Sequence, residues 1–103
     1  MEVGGSRIRD PLVDQLFEAV LLLKNKEECY RFFEDLCTVG EINAMAQRLE
    51  VARMLHENAT YALISERTGA STATISRVKR FLQYGASGYQ LVLGRLLSSE
   101  QKG

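Results

Sequence analysis

The sequence predicts an all-α bundle of six helical segments, and three observations support this prediction. Apolar residues recur at the three- and four-residue spacing of a helix face. No segment alternates polar and apolar residues as a strand would, and the joints between segments are short. The chain contains no internal repeat, which argues against a solenoid. We therefore expect one helical domain, built around a single apolar core.

Length and composition limit the possible classes of protein. A chain of 103 residues fits one domain, and 46% hydrophobic with 25% charged residues excludes global disorder. The 13 basic and 13 acidic residues exclude a uniformly basic coat, although they allow a local basic patch. Since no apolar stretch approaches a membrane span and no signal-peptide pattern is visible, we expect a soluble cytoplasmic protein without membrane contact.

The two ends of the chain are expected to lie outside the bundle. Residues 1–9 are glycine-rich and aperiodic, which predicts a flexible arm, and residues 99–103 are expected to form a flexible tail. The domain itself then spans residues 10–98. Pro11 suits the first turn of a helix, which continues with helical spacing to Leu23, where Asn25 and Lys26 interrupt the pattern.

Four further elements follow a second helix whose inward residues are expected to be Cys29, Phe32, Phe33 and Leu36. Thr38 and Glu41 fit a capping box for the third helix, which is expected to end near Asn58. A short helix from Thr60 to Thr68, a longer one from Ser71 to Tyr84 and a final one from Tyr89 to Leu97 complete the bundle. The predicted inward face of the third helix consists of Ile42, Met45, Ala46, Leu49 and Ala52.

The first and last helices are apolar on all sides, which a small monomer could not bury. A helix without a polar face must be covered, and a second copy of the chain is the simplest cover. We therefore expect a homodimer.

The sequence offers little for catalysis or metal binding. Cys29 and Cys37 lie eight residues apart without a CxxC pair, and His56 is the one histidine. The cysteines are expected to be small buried hydrophobes, and His56 to sit near a helix C-terminus. No phosphate-cradling glycine loop, zinc cluster or nucleophile–base spacing is present, so we expect neither an enzyme nor a metal site.

Residues 60–84 fit a helix-turn-helix, in which two helices cross steeply through a short turn. Ser65 supplies a small residue on the first helix, and Gly69 can take the left-handed conformation that the turn needs. Four apolar residues stand at the offsets of a miniature core: Ile64, Ala70, Ile75 and Val78. The second helix then presents Thr72, Ser76, Lys79 and Arg80 as one outward stripe, beside Ala73 and Arg77.

Charge and side-chain chemistry on this segment suit DNA. Residues 60–84 hold four basic residues and one acidic residue, a net charge of +3, whereas residues 1–59 carry a net charge of −4. Short hydroxyl side chains can bond base edges, and cations can bond phosphates or guanine. The residues expected near base edges are Thr72, Ala73, Thr74 and Ser76. Those expected to make backbone or mixed contacts with double-stranded DNA are Thr60, Arg77, Lys79 and Arg80.

The run from Arg48 to Leu55 and the segment Ser65–Arg77, with its Gly-Ala-Ser-Thr-Ala-Thr-Ile-Ser-Arg signature, resemble the Trp repressor family. The YerC/YecD-type branch, which shares this signature and a following Tyr-Gly, is the most similar. The resemblance covers about residues 10–97. It implies a six-helix fold, an interlocked homodimer and sequence-specific operator binding, with docking geometry known from the family.

The resemblance also implies an effector pocket, because the family's co-repressor is tryptophan. Arg48 and Arg77 match the two arginines that hold the indole, and Thr38 matches a threonine of that site. Val78 stands in place of a glycine and Phe81 in place of a serine; both changes fill the slot, and the change at Phe81 also removes a hydroxyl. We therefore expect no useful tryptophan binding and no other cofactor, with Phe81 in the place of the indole; the identity of any other effector is open.

Two alternatives stay open at this point. Arg48 could pair with Glu50 or Glu41 instead of a ligand, and Arg77 is more consistent with a DNA contact than with a ligand contact. The whole chain could also be a protein-interaction module that binds another regulator, since its net charge is zero and its first half is acidic.

Overall fold

The structure, a computed structural model, describes the backbone of residues 7–102 and the side chains of residues 7–99. Within these residues it has six helices and no strand, which confirms the all-α prediction. The helices are α1 (Pro11–Leu21), α2 (Lys26–Leu36), α3 (Val39–His56), α4 (Tyr61–Thr68), α5 (Thr72–Tyr84) and α6 (Gly88–Lys102). The chain divides into two compact units, one up to Ile42 and one from Asn43 onward.

In the first unit, side-chain caps set the helix starts. The Asp10 carboxylate accepts the Leu12 N–H at 3.0 Å ahead of α1, with Pro11 in the first turn. Asn25 accepts the Glu28 N–H at 2.9 Å and thereby caps α2. The predicted boundaries between the first two helices were wrong by a few residues. Helix α1 was expected to continue to Leu23 but ends at Leu21, and Lys26, expected in the break between the helices, is the first residue of α2.

The predicted capping box of α3 is confirmed. The Thr38 hydroxyl accepts the Glu41 N–H at 3.0 Å, and the Glu41 carboxylate accepts the Thr38 N–H at 2.8 Å. Two backbone donors that the helix leaves unpaired are therefore satisfied by side chains within three residues of each other.

Many apolar side chains of the first unit are exposed or only half-buried. Neither α1 nor α2 has a buried residue, and Leu12, Leu21 and Leu22 are 75%, 82% and 76% exposed. Phe32 and Phe33 are half-buried and meet edge-to-face, with ring centroids 5.5 Å apart. Leu36, expected to point inward, is exposed. Cys29 and Cys37, expected to be buried, are half-buried free thiols.

The second unit has a compact apolar core. The four residues predicted for the helix-turn-helix core are all buried: Ile64, Ala70, Ile75 and Val78. Leu93 of α6 and three residues of α3, namely Val51, Ala52 and Met54, complete the cluster. The core therefore fastens α4 and α5 to the end of α3 and the middle of α6.

The predicted inward face of α3 was wrong in part. Of that face only Ala52 is buried, whereas Met45 and Leu49 are 42% and 37% exposed, and Val51 and Met54 are buried in their place. Apolar residues occur on all sides of α3, so the helical period alone could not select the face that packs on α4 and α5. Arg53, on this same stretch, forms ion pairs with Glu50 at 2.6 Å and Glu57 at 2.8 Å.

The last helix is longer than predicted. Because α6 continues to Lys102, residues 99–102 are helical, and the expected tail starts inside a helix. Of the predicted N-terminal arm, residues 1–6 lie outside the described part of the chain, and Arg7–Arg9 precede α1 without regular structure.

The turn between α4 and α5 depends on a left-handed residue and a hydroxyl cap. Gly69 has φ = 75°, and its N–H donates to the Ser65 carbonyl at 2.9 Å. Ser71 precedes α5 in extended backbone and accepts the Thr74 N–H at 3.1 Å. The turn thus ends one helix and begins the next within three residues.

Replacing Gly69 with alanine is expected to lower the free energy of unfolding by about 1–2 kcal/mol, the cost of a left-handed Cβ. A Cβ at this position would meet no atom within 4 Å, so the cost is conformational alone. Chemical denaturation at one fixed protein concentration measures it. Gly69→Asn is the matched variant and should lose less, because asparagine tolerates this conformation; equal losses would contradict the argument.

Replacing Ser71 with alanine removes the cap of α5 and is expected to cost about 1 kcal/mol of stability. Ser71→Asp keeps an acceptor oxygen and should retain most of it. Amide hydrogen exchange in the first turn of α5 should rise in the alanine variant, and unchanged exchange there would show that the cap is dispensable.

Candidate nucleic-acid interface

The turn that orients α5 is held by side chains as well as by backbone. The Thr68 hydroxyl donates to the Ile64 carbonyl at 2.8 Å and accepts the Ala70 N–H at 3.1 Å. The Gln47 amide of α3 donates to the Thr68 carbonyl at 3.0 Å. Sequence reasoning missed Gln47, because its partner is 21 residues away and no local pattern marks it. Ser65, expected as the small residue of the crossing, is exposed.

One face of α5 lies in the core and the other lies in solvent. Ile75 and Val78 are buried at 0% and 2% exposure, and the residues between them point outward. Six exposed residues from the first three turns of α5 share this outer face and are called the α5 stripe from here on: Thr72, Ala73, Ser76, Arg77, Lys79 and Arg80. The structure therefore brings together six of the eight predicted DNA-contacting residues on one open surface.

The other two predicted residues serve as helix caps or lie beside one. Thr60 caps α4, where its hydroxyl accepts the Leu63 N–H at 3.2 Å, and it is exposed. Thr74 is half-buried, and its hydroxyl oxygen accepts the Ser71 hydroxyl at 3.2 Å. Thr74 is thus the least accessible of the four residues predicted near base edges, since part of its hydrogen-bonding capacity is used within the turn.

The cations of the α5 stripe are available to a ligand. In the described part of the chain, no carboxylate lies within ion-pair distance of Arg77, Lys79 or Arg80. Lys79 lies over the ring of Tyr61, with its Nζ 5.8 Å from the ring centroid. A surface that keeps its positive charges uncompensated attracts polyanions.

The structure describes the surroundings of three residues of the predicted effector pocket. Val78, expected to fill an indole slot, is a core residue between α4 and α5. Thr38 belongs to the first unit and caps α3. Arg48 is half-buried, and both carboxylates considered as its partners are engaged elsewhere, Glu50 by Arg53 and Glu41 by the Thr38 N–H.

Phe81 lines a shallow apolar cleft at the foot of α5. The cleft has a volume of about 530 Å³, and among the described residues neither Arg48 nor Arg77 lines it. Phe81 itself is 39% exposed. The remaining lining residues are Leu49, Ala86, Gly88, Tyr89 and Val92.

Gly85, which follows α5, has no room for a side chain. A Cβ there would collide with the backbone carbonyl of Phe81, the group that accepts the Gly85 N–H at 2.9 Å. The helix α5 ends at Tyr84 because Gly85, with ψ = −150°, has left the helical conformation.

The described residues contain no group of three or more histidine, cysteine or carboxylate side chains that could hold a metal ion. Over the same part of the chain, no helix combines the length and apolar character needed to cross a membrane.

Comparison with known proteins agrees with this geometry. The family model described as Trp repressor protein matches residues 12–97. The chain is 58% identical to YerC, an uncharacterised protein of Bacillus subtilis (strain 168), over 94 residues, which are 91% of this chain and 90% of YerC.

Two solved structures are similar as well. One, from Staphylococcus aureus and provisionally described as a Trp repressor, has a TM-score of 0.85 and 52% identity, covering 92% of this chain and 95% of its own. The other, a TrpR-like protein from Eubacterium eligens, has a TM-score of 0.81 and 59% identity, covering 82% and 88%. With the family model matching most of the sequence and the six helices matching these structures, the chain belongs to the Trp repressor family.

Proposed function

We propose that the chain is a sequence-specific DNA-binding transcriptional regulator that acts as a homodimer. The observation that carries the proposal is the α5 stripe, an exposed row of small hydroxyl and cationic side chains directly above a buried helix-turn-helix core. Such a helix fits the major groove of B-DNA, where base edges differ in their donors and acceptors. Membership of a repressor family supports a regulatory, non-enzymatic role in the cytoplasm, and repression in preference to activation.

The stripe divides by chemistry into two kinds of contact. The side chains of Thr72, Ala73 and Ser76 are short enough to approach base edges. The Thr74 side chain has a suitable length too, and it would be fully available to a base edge if its hydrogen bond with Ser71 opened. Lys79, Arg80 and Arg77 reach farther and suit phosphates, and Thr60 lies at the start of α4. Phosphate contacts fix the position of the helix, and base contacts choose the sequence.

The exposed leucines of α1 support the homodimer. A surface with Leu12, Leu21 and Leu22 at least three-quarters exposed would be costly in water, and a second copy of the chain offers a matching apolar face. Two α5 helices in successive major grooves then require half-site centres about 34 Å apart.

A protein-interaction module is the second candidate, favoured by the net charge of −4 on residues 1–59 and by the same exposed leucines. Such a module would bind another regulator without DNA. The two candidates differ in salt dependence, because phosphate contacts release counterions and make affinity fall steeply as salt rises.

Selection of duplexes from a random pool by the purified protein should yield a sequence with two-fold symmetry. Binding to the selected duplex should weaken steeply with salt, and Arg80→Ala should lower the slope of log affinity against log salt by about one. Absence of salt-dependent binding to any duplex would refute the DNA-binding proposal and favour the interaction module.

Base-edge residues should behave differently from Arg80. Thr72→Ala or Thr74→Ala is expected to change the preferred bases at defined positions of the selected sequence, while the salt slope stays the same. Fluorescence anisotropy on selected and scrambled duplexes measures both quantities. Identical behaviour of the threonine and arginine variants on the two duplexes would show that the division of contacts is wrong.

We also propose that the regulator works without free tryptophan. Val78 is part of the core, and the cleft beside Phe81 is apolar, so the described residues there offer little to a ligand's ammonium and carboxylate groups.

Calorimetric titration with tryptophan is therefore expected to give no saturable heat, and DNA affinity should not change when tryptophan is added. Phe81→Ser is the matched variant, since it removes the ring and restores a hydroxyl at this position. Binding by this variant alone would place the obstruction at Phe81, whereas micromolar binding by the natural chain would overturn the proposal.

A further inference from the structure

We propose that Tyr61 is a positioning residue for Lys79, holding its ammonium group where it meets a DNA phosphate. The inference rests on the proposed function and adds to it a residue outside the α5 stripe. It starts from the contact between the Lys79 Nζ and the Tyr61 ring, whose centroid is 5.8 Å away. This distance lies within the range at which a ring face attracts a cation.

The backbone that carries Tyr61 is held in place on its N-terminal side by the end of α3 and the cap of α4. Asn58 takes a left-handed conformation with φ = 65°, as the sequence predicted, and its N–H donates to the Leu55 carbonyl at 2.9 Å. The next N–H, that of Ala59, donates to the Met54 carbonyl at 3.0 Å, which completes a Schellman motif. Thr60 then caps α4, and Tyr61 is the first residue of α4.

The Tyr61 ring contacts both the apolar core and Lys79. Tyr61 is half-buried and packs against the apolar core. Together with Lys79 it lines a recess of about 370 Å³ among the end of α3, the start of α4 and the middle of α5. The other lining residues are Leu55, Asn58, Ala59, Leu82 and Gln83.

A lysine side chain gains more than an arginine side chain from a contact that restricts its conformation. Its ammonium is a compact charge on a flexible four-carbon stem, and holding that stem still on a phosphate loses rotamer freedom. Contact with the ring reduces the range of the stem before DNA arrives. The ammonium has three N–H donors, so a group held over the ring can still donate to a phosphate on its exposed side.

The geometry of the free protein can be tested without DNA. A Lys79 stem above an aromatic ring should show its methylene proton resonances shifted upfield in NMR spectra. Tyr61→Leu should remove the shift, and Tyr61→Phe should keep it. Methylene resonances at ordinary positions in the natural chain would overturn the proposal.

The functional test is a double-mutant cycle on a random-sequence duplex of about 30 base pairs, three helical turns. Tyr61→Leu should weaken binding about 2- to 5-fold, the value of an exposed cation–π contact. Lys79→Met should weaken binding and lower the salt slope by about one. In the Lys79→Met background, Tyr61→Leu should have no further effect, and Tyr61→Phe and Lys79→Arg should bind like the natural chain.

Three outcomes distinguish a failure of this inference from a failure of the proposed function. If the natural chain binds the duplex but the effects of Tyr61→Leu and Lys79→Met simply add, Tyr61 has only a structural role and this inference fails, while the proposed function stands. If Tyr61→Leu strengthens binding, the ring withholds the cation and the inference is reversed. If the natural chain itself shows no salt-dependent binding, both the proposed function and this inference fall.

Discussion

The candidate interface depends on the way one short turn is closed. Gly69 lets the backbone reverse in a left-handed conformation, and Ala70 beside it is buried at 2% exposure. Ala70 is buried in the turn ahead of α5, and Ile75 and Val78, three positions apart in α5, share the buried face of that helix. The polar residues Ser76 and Arg77, between Ile75 and Val78, therefore face solvent. The α5 stripe is thus a consequence of core packing and of one φ angle, and it needs no partner to exist.

Local chemistry explains why the sequence predicted this part of the molecule well. The caps at Thr38, Thr60 and Ser71, and the left-handed residues Asn58 and Gly69, act within a few positions of the chain, so their patterns are visible in the sequence. The same holds for the buried set of the helix-turn-helix, whose spacing follows directly from the helical period. The presence of the helices and the position of the candidate interface could therefore be predicted from the sequence alone.

Features that depend on contacts between residues far apart in the sequence could not be predicted in this way. The burial of Val51 and Met54 in place of Met45 and Leu49 is decided by which side of α3 meets α4 and α5, and a helix with apolar residues on every side does not record that choice. Leu93 of α6 also belongs to the core cluster, and no local spacing in the sequence marks that contact. The end of α6 was misplaced because no proline or glycine marks a stop between Leu97 and Lys102.

The hydrogen bond from Gln47 to the Thr68 carbonyl gives the long helix α3 a direct hold on the turn. A carbonyl at the end of α4 has a lone pair that its own helix cannot use, and here it is satisfied by a side chain from a different element. Displacement of α3 from the turn would therefore cost this hydrogen bond as well as the apolar contacts of Val51, Ala52 and Met54 with the core. Polar and apolar contacts from α3 therefore act together on the segment that leads into α5.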